Sequence, residues 1–383
     1  MSADYKTCVI CVDAQMPDDR LLLPAGLALR RGELVAFPTL NPDAVARIFQ
    51  VKGRPPDNPL IVHSADISGL EPLVGTLTPL ARSLLLHFSP GPLTLVLPRS
   101  RRVPTIVTAG LDTVAVRIPD HPVALSLLRL AGIPVAAPSA NRSGRPSPTR
   151  ARHVLEDFDG RIPFLIDGGT CRYGLESTVV DITGDKPVIL RPGSITAADI
   201  LKATGIEPVA AANAYSNGDL QGVPIGRPRS PGMKYRHYAP KARVIIAEES
   251  QGDCVGCIMT QLVQDWLSRD ARVGVYACEK AISRLGLICR PLSDFMDAGI
   301  SAGRPAQVPP ATCCSLSYGP DPDSAMAGRT LFDALRTFDA ISCDVIIVEG
   351  LPDHGVGTAY MNRLRKAAQA DSANIDPDEE QNT

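Results

Sequence analysis

Between Leu34 and Leu190, short apolar runs alternate with segments of helical period, and many of the runs end in polar loops rich in Pro and Gly. Leu34–Phe37, Leu60–Val62, Leu93–Leu97, Val114–Ile118, Pro134–Ala137, Phe164–Ile166, Ser177–Ile182 and Val188–Leu190 read as strands. Between them, Pro42–Val51 sets Val45, Ile48 and Phe49 at i, i+3 and i+4, with Asn41 as N-cap and Pro42 at the first helical position. Thr78-Pro79 repeats that start for a helix running to His87, and Pro122–Leu130 and Thr149–Phe158 are the next helices. Such alternation makes a mixed α/β domain, with its functional loops at strand ends.

The pattern dissolves just after Pro208. Residues 209–241 are rich in Ala, Gly, Pro and basic side chains, the composition of a linker. Their second half, Ser230-Pro231-Gly232-Met233-Lys234-Tyr235-Arg236-His237-Tyr238, is aromatic and basic, which an inert connector does not need. A second α/β unit begins at Arg243-Val244-Ile245-Ile246, with strands at Arg272–Tyr276 and Asp344–Val348 and helices near 255–268, 325–338 and 358–368. This predicts a smaller Rossmann-like sheet. The turn Glu349–Gly357 opens a helix and suits an anion, but lacks the G-x-G-x-x-G spacing of a dinucleotide site. The expected organisation is a domain over 1–208, a linker over 209–241, a second domain over 242–370 and a disordered acidic tail over 371–383.

At 383 residues the chain can bury two cores, and 44% hydrophobic with 21% charged residues is a globular composition. A formal net charge of −2 excludes a global field drawing it to nucleic acid or anionic lipid. No stretch reads as a signal peptide or membrane span, so the expected location is the cytoplasm, with no membrane partner. Two C-x-x-C pairs, Cys8/Cys11 and Cys254/Cys257, lie far apart without a nearby His pair, so they read as thiols and not as zinc ligands. No metal site is expected from them. Cys313-Cys314 read as loop residues open to oxidation.

The chemistry concentrates in the loops. Pro138-Ser139-Ala140-Asn141-Arg142-Ser143-Gly144-Arg145-Pro146-Ser147 leaves an apolar strand and packs hydroxyl, amide and guanidinium donors between prolines. Alone it reads as a solvated turn, but donors at that spacing also suit a polyphosphate or carboxylate. It is joined by Lys52-Gly53-Arg54-Pro55-Pro56-Asp57-Asn58-Pro59-Leu60-Ile61-Val62-His63, Phe88-Ser89-Pro90-Gly91-Pro92, Glu176-Ser177-Thr178-Val179-Val180 and Leu190-Arg191-Pro192-Gly193. Lys52, Arg54, Arg117, Arg142, Arg145 and Arg191 thus sit at loop or strand ends beside Gly, Pro and Ser, where phosphate binding outweighs a surface-charge reading.

In order and spacing over roughly residues 20–200, these segments resemble the YrdC-like family of threonylcarbamoyl-adenylate synthases, in its long two-domain branch. The resemblance implies a YrdC-like mixed twisted sheet with flanking helices, plus the smaller C-terminal α/β domain. It implies a nucleotidyltransferase that joins L-threonine, bicarbonate or CO2 and ATP, releasing pyrophosphate. That is the first step of the N6-threonylcarbamoyladenosine modification of tRNA, with a separate transferase complex acting downstream. It further implies ATP contacts at Arg54, Asn58, Thr113, Ser139, Asn141, Ser147 and Arg191, with Tyr235 capping the nucleotide from the linker. Threonine contacts fall at His63, Arg117, Ala137 (backbone) and Ser177. Lys52 and Arg54 are the catalytic cations, stabilising carbonate- or phosphate-derived charge. Mg2+ is expected to arrive with ATP, since no acidic cage is visible.

The chain departs from the family at one place. Phe37-Pro38-Thr39 runs straight into Leu40-Asn41-Pro42, where relatives carry a PTETVYGLG segment about ten residues longer. A strand–helix connection that short is feasible, so the fold is expected to survive better than threonine turnover. Two other readings compete: another carbamoyl-adenylate chemistry on the same domain, and a catalytically silent nucleotide- or RNA-binding paralogue.

Overall fold

The computed structural model describes residues 6–35, 42–211, 238–249, 253–286, 289–291 and 309–369, the side chains of 289–291 excepted. Over these residues the chain divides into two compact units. One comprises Met1–Ser143, Ser147–Cys171 and Glu176–Tyr235; the other comprises Gly144–Pro146, Arg172–Leu175 and Arg236–Thr383.

The first unit is built on a seven-stranded mixed sheet. Its strands are β2 (Ile61–His63), β3 (Leu93–Pro98), β4 (Thr113–Arg117), β5 (Val135–Ala136), β7 (Thr178–Asp181), β8 (Val188–Arg191) and β9 (Val209–Ala210), in the order β5-β2-β4-β3-β7-β8-β9. A separate parallel pair joins β1 (Cys8–Cys11) to β6 (Phe164–Asp167). The helices are α1 (Asp19–Arg30), α2 (Pro42–Lys52), α3 (Ile67–Leu70), α4 (Pro79–Phe88), α5 (Pro122–Ala131), α6 (Ala151–Phe158) and α7 (Ala197–Thr204).

Local chemistry sets several of these boundaries. Thr78 caps α4 by accepting from the Ala81 amide at 3.1 Å, with Pro79 in the first turn. Thr196 and Asp199 close a capping box on α7. Gly132 ends α5 in the left-handed region, at φ +62.

Alternation along the strands gives the sheet two different faces. Leu60, Val62, Leu95, Leu97, Val114, Val116 and Val180 enter the main core with the helices. Ile61, Val96, Ala115, Val179, Val188 and Leu190 form a second, smaller apolar patch on the other side.

The second unit carries a five-stranded parallel sheet: β10 (Arg243–Ala247), β11 (Val273–Ala277), β12 (Cys289–Pro291), β13 (Cys313–Ser317) and β14 (Val345–Glu349), in the order β10-β14-β11-β13-β12. Its helices are α8 (Val255–Leu267), α9 (Glu279–Arg284), α10 (Ser324–Ala340) and α11 (Val356–Ala368). Every residue of β11 and β14 is buried, as expected for central parallel strands covered on both faces.

Several expectations need correction. Cys313 and Cys314 are not in a loop: both are buried in β13, and Cys313 is disulfide-bonded. The apolar run containing them was hidden by the polar residues on either side. Val209–Ala210, assigned by composition to the linker, instead pairs with β8 as the edge strand of the first sheet. Residues 212–237 of the expected linker and the tail from 370 onward lie outside the described residues. So does half of the expected strand Leu34–Phe37: Val35 bridges to Phe164, and residues 36–41 are not described. Helix α1 has no counterpart in the sequence reading.

Candidate active site

Strand register places the predicted residues on one face of the seven-stranded sheet. In the parallel pairing of β2 and β4, Ile61 lies beside Ala115 and His63 beside Arg117. In the antiparallel pairing of β3 and β4, Val96 faces Ala115. Thr94 is level with Val179, which in turn pairs with Arg191. His63, Thr113, Arg117, Ser177 and Arg191 therefore share the face whose floor is Ile61, Val96, Ala115 and Val179. Thr113 and Arg117 stand at opposite ends of β4, about 13 Å of strand apart. The face thus has two ends, an Arg54/Asn58/Thr113 end and a His63/Arg117 end, and the row of the latter continues through Thr94 and Val179 to Arg191.

At the Arg54 end the chain leaves α2 through Gly53, whose φ of +61 suits glycine, into the Arg54–Pro59 loop. Arg54 is buried, donating from Nε to the Asn58 carbonyl at 3.1 Å and from Nη2 to Asn58 Oδ1 at 2.7 Å and the Pro59 carbonyl at 2.8 Å. Asn58 is itself only 2% exposed. These three bonds fix the direction of the guanidinium plane.

Lys52 is the last residue of α2, directly before this loop. Its buried ammonium donates to the Ser139 carbonyl at 2.6 Å and to the Asn141 carbonyl, and lies 5.8 Å from the Phe158 ring centre. The Lys52 carbonyl in turn accepts the Ser143 amide at 2.9 Å. The lysine therefore positions the Ser139–Ser143 loop. Asn141 is buried, and its Nδ2 donates to the Arg142 carbonyl at 2.9 Å, while the Arg142 amide reaches buried Asp157 at 3.2 Å. Ser139 is exposed beside an apolar cleft with about 390 Å³ of empty space, also lined by Leu34, Val35, Ile48, Lys52 and Phe158.

Across the sheet, Arg191 is 5% exposed and donates from Nε to the Ser177 carbonyl at 3.1 Å and from Nη2 to Ser177 Oγ at 3.1 Å. Ser177 Oγ also bonds Thr94 Oγ1 at 2.7 Å. Gly193 permits this approach: a Cβ there would lie 2.4 Å from the Thr178 amide nitrogen. Ser147, buried at the end of the Ser/Arg/Pro loop, donates to Glu176 Oε1 at 2.7 Å. Thr94, Glu176 and Asp157 were not singled out as site residues in the sequence reading. Thr94 carries a signal: it is the one polar side chain in the apolar run Leu93–Leu97.

In the same row as Arg191, Arg117 Nε donates to the Gly91 carbonyl at 3.0 Å. Only glycine fits at 91, where a Cβ would meet the Phe88 carbonyl oxygen at 2.3 Å. Burial, and secondarily the Arg117 charge, push the His63 imidazole down to about 3, so it is neutral at pH 7. The Ala137 amide donates to the Ile61 carbonyl at 2.9 Å, so a backbone contact from Ala137 to a ligand would have to use its carbonyl. Tyr235 lies outside the described residues. Among the described residues, no three His, Cys, Asp or Glu side chains gather to hold a metal ion. The donors at the Arg54 end suit phosphate oxygens and not a bare divalent cation, so Mg2+ fits here only as part of an ATP complex.

A mixed sheet with buried cations on one face, in a chain that also carries a five-stranded parallel sheet, defines the class: a two-domain YrdC-like α/β protein. Residues 27–193 match the Sua5/YciO/YrdC domain profile, described as telomere recombination, and residues 195–369 match the C-terminal domain of threonylcarbamoyl-AMP synthase. The Bacillus subtilis (strain 168) threonylcarbamoyl-AMP synthase is 44% identical over 367 residues, covering 93% of this chain and 95% of that protein. The Pyrococcus abyssi synthase is 42% identical over 375 residues, covering 94% and 98%. The crystal structure of P. abyssi Sua5 complexed with L-threonine matches with a TM-score of 0.78 at 40% identity, covering 94% of this chain and 98% of that one. The chain belongs to the threonylcarbamoyl-AMP synthase family.

Proposed function

We propose that this chain makes L-threonylcarbamoyl-AMP from L-threonine, bicarbonate and ATP, releasing pyrophosphate and water. The observation that carries this reading is the two-ended face, with Arg117 and neutral His63 at one end and Arg54, Asn58 and Thr113 at the other. Arg117 clamps the threonine carboxylate, and the amine takes up CO2 to give a carbamate. A carbamate oxygen then attacks the α-phosphorus of ATP and pyrophosphate leaves. No protein nucleophile is needed; the protein supplies positioning, cationic stabilisation and exclusion of water from the mixed anhydride. Arg54 meets the phosphates from its end of the face and Arg191 reaches them from the Arg117 row, Lys52 holds the Ser139–Ser143 loop, and Mg2+ enters as the ATP complex.

The product is the activated donor for tRNA N6-threonylcarbamoylation, passed to a separate transferase in the cytoplasm. Among the described residues no helix is long and apolar enough to cross a membrane. The silent-paralogue reading is not favoured, because near-full-length relatives at 42–44% identity are synthases.

Pyrophosphate release by the purified chain, with and without L-threonine and bicarbonate, tests the proposal. Release that requires both is the expected outcome. ATP binding without release would break the reading at the threonine end.

A further inference from the structure

The Cys254-Val255-Gly256-Cys257 motif plays no part in the chemistry above, yet its geometry differs from that of scattered thiols. Cys254 is the N-cap of α8, directly after the loop that leaves edge strand β10, and Cys257 lies in the first turn. Both are exposed, and their sulfurs are 2.9 Å apart and hydrogen-bonded to each other. Arg284, the last residue of α9, donates from Nη1 to Cys254 Sγ at 3.6 Å. Gly256 leaves the space for it: a Cβ there would lie 2.9 Å from Arg284 Cδ and 3.2 Å from Nη1.

The two thiols are also unequal. Hydrogen bonding from Cys257, then the first-turn amides and Arg284, hold Cys254 below the usual thiol range. Cys257 is pushed up by that same bond and by nearby Asp253. A more acidic exposed thiol beside a less acidic one is the division of labour between an attacking and a resolving cysteine.

We propose that Cys254 and Cys257 form a thiol–disulfide exchange site whose substrates are low-molecular-weight disulfides, with Cys254 attacking and Cys257 resolving. The Cys254 thiolate attacks one sulfur of RS–SR, a protein–SR bond forms and RS⁻ leaves. Cys257 then attacks Cys254 Sγ, the protein disulfide forms and the second RS⁻ leaves. The dithiol loses two electrons and two protons, and the small disulfide gains both. Two RSH and one Cys254–Cys257 bond are the products.

The other C-x-x-C provides a control inside the same chain. Cys8 and Cys11 are exposed but lie three residues apart on a strand, so their side chains leave opposite faces and cannot close the ring locally.

The test treats the reduced full-length protein with oxidised glutathione and follows each cysteine by peptide mass spectrometry. An intramolecular Cys254–Cys257 disulfide should form at least ~5 times faster than Cys8 becomes glutathionylated. Cys257→Ser should trap a stable glutathione adduct on Cys254. Gly256→Ala, which displaces Arg284 without touching either sulfur, should lower the Cys254 rate while melting stays as in the parent. Cys254 reacting no faster than Cys8, in both parent and Cys257→Ser, would overturn the proposal, as would a parent product that stays a mixed disulfide.

Discussion

Both sheets gather polar side chains where their strands end, but the sign of the charge is opposite. In the seven-stranded sheet, buried Arg54 and Arg191 donate to carbonyl, amide and hydroxyl oxygens, which aim the cations. In the five-stranded parallel sheet the hub is an acid. Buried Glu349 accepts the Cys278 amide at 2.7 Å and the Tyr318 hydroxyl at 2.6 Å, both on Oε2, while its backbone carbonyl takes the Tyr360 hydroxyl at 2.7 Å. Burial and the Glu349 charge push the Tyr318 phenol up, so it stays a donor. The first arrangement holds positive charge ready for a ligand's phosphates. The second closes on itself and holds the ends of β11, β13 and β14 together. A strand-end location therefore does not by itself make a binding site; the partners of the charge decide.

The sharpest way to break this contrast is to remove one charge from each sheet. Arg191→Met should cut pyrophosphate release ~10²–10³-fold, the cost of losing a preorganised donor to developing charge. Stability should fall by only about 1–3 kcal/mol, because the Ser177 carbonyl loses its donor, so the larger loss is in turnover per folded molecule. Glu349→Gln should do the reverse. An amide presented to two donors loses one bond to a charged acceptor, about 1.5–3 kcal/mol, and the melting temperature should fall by roughly 4–10 °C. Its turnover per folded molecule should match the parent. Thermal melts and initial rates on both variants decide the matter; a rate collapse in Glu349→Gln at full folding would end the comparison.

Much of the fold is legible in the sequence because its strands are apolar runs cut by Pro and Gly. The failures have physical causes. Helix α1 carries Pro24 in its interior, which masks the helical period of Asp19–Arg30. The target of Lys52 lies 87 residues away, and nothing local says that its ammonium is taken up by loop carbonyls. The site residues themselves were readable as motifs, but their common face was not. That His63 lies beside Arg117, and Arg191 beside Val179, is a matter of register between strands, which only pairing reveals.

His63 sharpens the contrast from within the first sheet, because it is buried neutral among cations. Its folded value is depressed to about 3, mainly by burial and secondarily by Arg117. The unfolded chain binds this proton below about 6.5 and the folded chain does not, so stability is full above pH 6.5 and falls as the pH drops toward 3. At pH 5 the loss from this one group is about 2 kcal/mol. His63→Gln should remove that part of the slope, so denaturant unfolding at pH 7 and pH 5 should differ less in the variant than in the parent. An unchanged slope would mean that His63 is charged in the folded state.

The smallest expected effect separates a held cation from one merely nearby. Thr94 is fully buried, and its hydroxyl meets Ser177 Oγ, which also receives Arg191 Nη2. Thr94→Val keeps the shape and removes one bond, worth about 1 kcal/mol, so pyrophosphate release should fall ~5-fold. If Thr94 acts only by orienting Ser177 and so Arg191, its loss should cost almost nothing once Arg191 is already Met. The Thr94→Val/Arg191→Met double variant should then be no slower than Arg191→Met alone, a coupling of about 1 kcal/mol. Additive losses would show instead that Thr94 meets the substrate on its own account. In that case the aimed-cation picture would hold for Arg54 but not for Arg191.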